Sequence, residues 1–131
     1  MINMNSRRQL GDSVAEYLVT LPYEINSDGE GLWAIVLAGR SFGLSGSELK
    51  EFVELSVGRL IDVGGRPVRH ANQGKQRWIE QTQYGDTKED IVREVVAEWL
   101  ADLGGRDPPW EWLWFVTPKV LQNAERWQGN P

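Results

Sequence analysis

Three stretches of the chain repeat apolar residues at helical spacing. In the first, residues 7–20, these are Leu10, Val14, Tyr17 and Leu18, with Leu21 just beyond. The pattern predicts an amphipathic helix that stops near Thr20, because Pro22 disfavours helical backbone at the residue before it. In the second, Leu49, Phe52, Val53, Val57, Leu60 and Ile61 share one stripe, mostly opposite Lys50, Glu51, Glu54 and Arg59. An S-x-x-E capping pattern, Ser45 to Glu48, predicts its start, and Gly64-Gly65 predicts a left-handed cap at its end. In the third, Ile91, Val92, Val95, Val96, Trp99, Leu100 and Leu103 form a broad stripe. Asp86 with Glu89 marks the beginning of this helix, and Gly104-Gly105 marks its end. Thr117-Pro118 predicts the cap and first residue of a short last helix, reaching to about Trp127.

Between these stretches lie candidate strands. Leu32–Ala38 is a short, uncharged run, apolar on both alternating faces, and predicts a central strand covered on both sides. Gly39 to Gly46 then reads as a glycine-serine connection. Pro67–Ala71 and Gln76–Tyr84 predict two strands joined by a hairpin loop at Asn72–Lys75. Glu111–Val116 predicts a last strand, with Trp112 and Trp114 on one face and Leu113 and Phe115 on the other.

The predicted order is α-β-α-β-β-α-β-α. Its inner six elements are the split unit of a ferredoxin-like sandwich. The expectation is therefore a single α+β domain over residues 1–131. It has a four-stranded antiparallel sheet, an N-terminal helix and a short C-terminal helix. The first and last strands are apolar on both faces, so the second sheet face needs a cover. The terminal helices can supply it, through Leu10, Val14, Tyr17 and Leu18, or through Val120, Leu121 and Trp127. A second copy of the chain or a different protein are the other covers.

Composition narrows the chemistry. Hydrophobic residues make up 40% and charged residues 25%, which is ordinary globular usage. Cysteine is absent, which excludes disulfides, a thiolate nucleophile and a cysteine-zinc site. That agrees with a reducing cytoplasm. His70 is the one histidine, so no multi-histidine metal site can form, and no cofactor is expected. The net charge of −5 argues against duplex nucleic acid and against anionic membranes. Arg7-Arg8 has a twin-arginine look, but Asp12 and Glu16 interrupt the apolar segment an export signal needs.

Two loops of chemistry stand out. Gly39-Arg40-Ser41-Phe42-Gly43 matches G-x-S-x-G, yet the helix cap at Ser45 comes too late for a nucleophile elbow. The same residues resemble the phosphate loop of the acylphosphatase family. Gly39, Arg40 and Gly43 match it, while Ser47 stands where that family has a second arginine, so the activity is not implied. An anion held by Gly39, Arg40, Ser41 and Gly43, such as a phosphate or nucleotide, is the alternative reading, a small enzyme or ligand-binding domain. Trp33 and Trp78, on the first and third predicted strands, resemble the aromatic placement of the RNA-recognition motif, without its glycine-aromatic signature. Arg66, Arg69, Lys75 and Arg77 make the hairpin basic, which keeps a sheet edge soluble.

The segment after Gly85 is acidic. Asp86, Glu89, Asp90, Glu94, Glu98, Asp102, Asp107 and Glu111 outnumber Lys88, Arg93 and Arg106. The leading expectation is a non-enzymatic protein-binding domain for a basic partner protein, where charge speeds and selects association. Glu94 and Glu98 would meet that partner, with Trp110, Trp112 and Trp114 as anchors. In size, charge and tryptophan content the chain resembles small acidic immunity and antitoxin proteins, which bind and block basic nucleases or other toxins. That resemblance implies an inhibitor or regulatory adaptor. A homodimer covering the tryptophan-rich face is compatible with it.

Overall fold

The apolar run at Leu32 folds as a helix, and this redraws the topology. The protein is described from a computed structural model covering residues 2–8, 11–25, 29–71 and 78–121. The order is α1 (Val14–Glu24), β1 (Glu30–Gly31), α2 (Leu32–Ser41), α3 (Gly46–Asp62), β2 (Arg66–His70), β3 (Trp78–Glu80), α4 (Lys88–Leu103) and β4 (Trp114–Val116). A further helix opens at Pro118, where Thr117 Oγ1 accepts from the Val120 N–H at 3.3 Å. Its predicted course to Trp127 lies outside the described residues, as do Leu10 and the hairpin loop at Asn72–Lys75.

The α+β class and the four-stranded antiparallel sheet are as expected. The strand order is β1-β4-β2-β3, which is not the ferredoxin-like order. The reason is local. Leu32, Ile35, Val36 and Gly39 are all buried, an i, i+3, i+4, i+7 stripe, while Leu37 and Arg40 face outward. A run that is apolar on every side fits strand and helix equally by pattern, and the helix here continues past it through Gly39 and Arg40 to Ser41. The strand expected at Leu32–Ala38 is therefore absent, and β1 is the two residues before it, Glu30–Gly31, which pair with Phe115 and Trp114 of β4.

Helix α1 also departs from expectation. It starts at Val14 and continues through Pro22 to Glu24. Ser13 and Glu16 form a reciprocal capping box, a signal present in the sequence at S-x-x-E spacing. Pro22 lacks the N–H that would satisfy the Leu18 carbonyl, and Arg59 Nε of α3 donates to that carbonyl at 3.0 Å instead. At α3, Ser45 is the N-cap but makes no side-chain cap bond. At α4 the cap is Thr87, whose hydroxyl accepts from the Asp90 N–H at 3.1 Å, and not Asp86. Gly104 ends α4 at φ +61°, the left-handed cap its residue type predicts.

The main core joins α1, α2, α3 and α4 to one sheet face through residues such as Leu21, Ile35, Phe52, Val95, Trp99, Leu113 and Phe115. On the other face Val68, Trp78 and Val116 form a second cluster, with Trp114, Val120 and Leu121 packed against it. The start of the C-terminal helix thus contributes to covering that face. Trp112 does not join it. It precedes β4, its N–H donates to Pro109 O at 3.0 Å in a turn, and its ring packs on the main core.

Candidate functional site

A groove of about 450 Å³ runs between α3 and α4 and reaches α1. Leu18, Leu55, Gly58 and Val92 give it apolar lining, and Glu51, Glu54, Arg59, Asp62, Lys88, Glu89 and Arg93 surround these with charge. Its shape follows from Gly58, which is buried on α3. A Cβ there would stand 3.2 Å from Lys88 Cε, so the missing side chain leaves room for Lys88 to cross.

The cations of the groove are all engaged within the fold. Lys88 Nζ is 2.9 Å from Asp62, Arg93 bridges Asp90 at 2.7 Å and Glu94 at 3.2 Å, and Arg59 serves the Leu18 carbonyl. Glu51, Glu54 and Glu89 make no ion pair among the described residues. The groove therefore combines an apolar strip with three carboxylates and one guanidinium, Arg59, that are in no ion pair among the described residues, a surplus of negative charge.

The residues singled out from sequence are distributed differently. Glu94 is exposed on α4 and hydrogen-bonded by Arg93. Glu98 is tied inward, accepting from Arg69 at 2.7 Å and from Tyr84 Oη at 2.8 Å. Burial, reinforced by the hydrogen bond to Glu98, pushes the Tyr84 hydroxyl up to about 12. Arg69 also donates to the Trp112 carbonyl and stands 5.1 Å from the Trp112 ring centroid. Trp110 and Trp114 do meet. Their centroids are 5.3 Å apart, Trp114 Nε1 donates to the Trp110 carbonyl at 2.8 Å, and His70 stacks on Trp110 at 4.9 Å. Trp110 remains 54% exposed at the edge of this aromatic group.

The loop expected to hold an anion is largely helical. Gly39, Arg40 and Ser41 belong to α2, and only Gly43, at φ +82°, lies in the turn 42–45. Gly39 is a packing glycine, since a Cβ there would lie 2.5 Å from Leu49 Cδ1 and 2.9 Å from Phe52 Cδ1. Arg40 ion-pairs with Asp107 and donates to Gly105 O at 2.8 Å. Ser41 Oγ donates back to Ala38 O at 2.6 Å.

Glu51 and Glu54 read as a solvated helix face and Glu89 as a capping residue. Only the approach of α4 to α3 assembles them. Among the described residues, no cluster of three or more His, Asp or Glu could hold a metal ion, and no helix is long and apolar enough to cross a membrane. The sequence matches no protein-family model and no curated protein, and the fold matches no solved structure.

Proposed function

We propose that this chain is a non-enzymatic protein-binding domain, an inhibitor or regulatory adaptor of the cytoplasm, that docks a basic partner protein in the groove between α3 and α4. The observation that carries this reading is the set of three carboxylates, Glu51, Glu54 and Glu89, without ion pairs among the described residues, beside exposed Leu55 and half-buried Val92. An apolar strip supplies contact area, and the surplus of these carboxylates over Arg59, the groove cation without an ion pair among the described residues, selects a cationic partner and speeds encounter. The docking site moves accordingly from Glu94 and Glu98 to the groove, with Trp110 as a second exposed contact.

Helices α2 and α3 with their short turn have helix-turn-helix connectivity. A duplex reader of that kind needs cations on the second helix, whereas α3 carries Glu48, Glu51, Glu54 and Asp62 against Lys50 and Arg59. This supports a protein partner over nucleic acid. The anion reading at Gly39–Gly46 loses support because the charge of Arg40 is already used by Asp107.

The test is capture at low salt from a lysate of the source cells, followed by a salt gradient. A stoichiometric basic protein released between about 0.1 and 0.5 M salt supports the reading, because screening at that strength removes long-range attraction. A partner retained through the gradient, or an acidic one, would refute it. Light scattering of the protein alone separates self-association from docking.

A further inference from the structure

A second cleft, of about 390 Å³, opens between α1 and α2 and shares no residue with the groove. Tyr17 and Trp33 give it aromatic walls, Leu37 an aliphatic one, and Glu24 and Glu30 place two carboxylates in it. Glu30 is mostly buried in β1 and makes no ion pair among the described residues. Burial, and then the charge of Glu24, pushes its carboxyl up to about 7, against a weaker opposite pull from the Gly31 backbone.

Arg8 also lines the cleft, but its charge is committed to Asp12 at 2.6 Å. Its guanidinium carbon stands 5.5 Å from the Tyr17 centroid and 4.9 Å from that of Phe42, so this aromatic wall already accepts a cation. The Tyr17 hydroxyl is held protonated far above its ordinary range, first by burial and then by Glu30, with Asp12 and Glu24 adding to this and Arg8 opposing it. The cleft is thus aromatic, partly dry and negative in sign.

We propose that this cleft binds a small organic ammonium, with Glu30 as its counter-ion and Tyr17 and Trp33 enclosing its apolar body. A bound cation replaces the solvation that Glu30 lost on folding and relieves its repulsion with Glu24. An anion of the same shape meets two carboxylates. Glu24 and Tyr17 of α1 and Arg8 of the N-terminal segment are the titratable and charged groups facing Glu30; Asp28 lies outside the described residues.

The ligand selects ionised Glu30. Between pH 6 and pH 8 the ionised fraction rises from about one tenth to about nine tenths, so affinity tightens about tenfold. Calorimetry on the intact chain tests this with three probes of one shape: phenethylammonium, 2-phenylethanol and phenylacetate. The expected result is binding of the ammonium alone, about tenfold tighter at pH 8, with proton release near pH 7. Glu30→Gln should weaken it about tenfold at pH 8 and flatten the pH dependence. Absence of ammonium binding up to about 10 mM, or equal binding of the alcohol, would overturn the proposal without any variant. So would a folded Glu30→Gln protein with unchanged affinity.

Discussion

Arg69 of β2 donates to Glu98 of α4 at 2.7 Å, and the same carboxylate oxygen accepts from Tyr84. Glu98 is therefore a tie between sheet and helix, whereas Glu94, one turn earlier, is exposed and bonded to its neighbour Arg93. Glu98→Lys should lower stability by about 2 kcal/mol, since it leaves Arg69 facing a cation. Glu94→Lys should leave the urea midpoint essentially unchanged. Urea unfolding of both variants measures the contrast, and equal midpoints would mean that the tie contributes nothing.

Pro22 and Arg59 make a second linked pair. Arg59 satisfies the Leu18 carbonyl that Pro22 cannot, so Arg59→Leu should cost about 1–2 kcal/mol. In a Pro22→Ala background the restored N–H should reduce that cost by about 1 kcal/mol. A double-mutant cycle from denaturation curves reads the coupling, and strict additivity would contradict it.

How far the sequence reaches can be judged from these same elements. Helices α3 and α4, the antiparallel pairing of β2 with β3 and the cap at Gly104 follow from periodicity and glycine placement, which are local properties; the strand expected over Gln76–Tyr84 ends at Glu80, because Gln83 and Tyr84 already turn toward α4. The run at Leu32 is apolar in every direction, so its period carries no choice between helix and strand. The passage of α1 through Pro22 depends on the side chain of Arg59, which is 41 residues in sequence from the Leu18 carbonyl it satisfies. The inward tie of Glu98 depends in the same way on where β2 lands against α4. The exposure of Glu94 was legible from its helix face; the partners and partial burial of Glu98, set by tertiary approach, were not.

Gly31 lies where two indoles converge. A Cβ there would stand 2.5 Å from Trp33 Cδ1 and 2.9 Å from Trp114 Cε2. Indole rings are rigid, so Gly31→Ala should cost about 1–3 kcal/mol and alter the near-ultraviolet circular dichroism of the tryptophans. A variant with the wild-type melting temperature and spectrum would mean the rings do not converge there.

Glu30 sets a pH dependence of stability. Its folded pKa of about 7 lies above the ordinary 4.5, so between these values the native state binds more protons than the unfolded chain. Stability from this group is complete below about pH 4.5, falls as pH rises and is lost above pH 7. Glu30→Gln should therefore stabilise the protein at pH 8, by on the order of 2 kcal/mol, and hardly at all at pH 4.5. Thermal melts of both proteins across that range check the sign.

The docking claim is tested most directly by parallel capture with three baits: the wild-type chain, Glu94→Lys, and a combined Glu51→Lys, Glu54→Lys and Glu89→Lys variant, each verified as folded by circular dichroism. Wild type and Glu94→Lys should retain the same basic protein equally. The groove variant should lose it by at least about tenfold, since three reversed charges replace attraction with repulsion. Retention by the groove variant at the wild-type level would mean that the partner does not dock between α3 and α4.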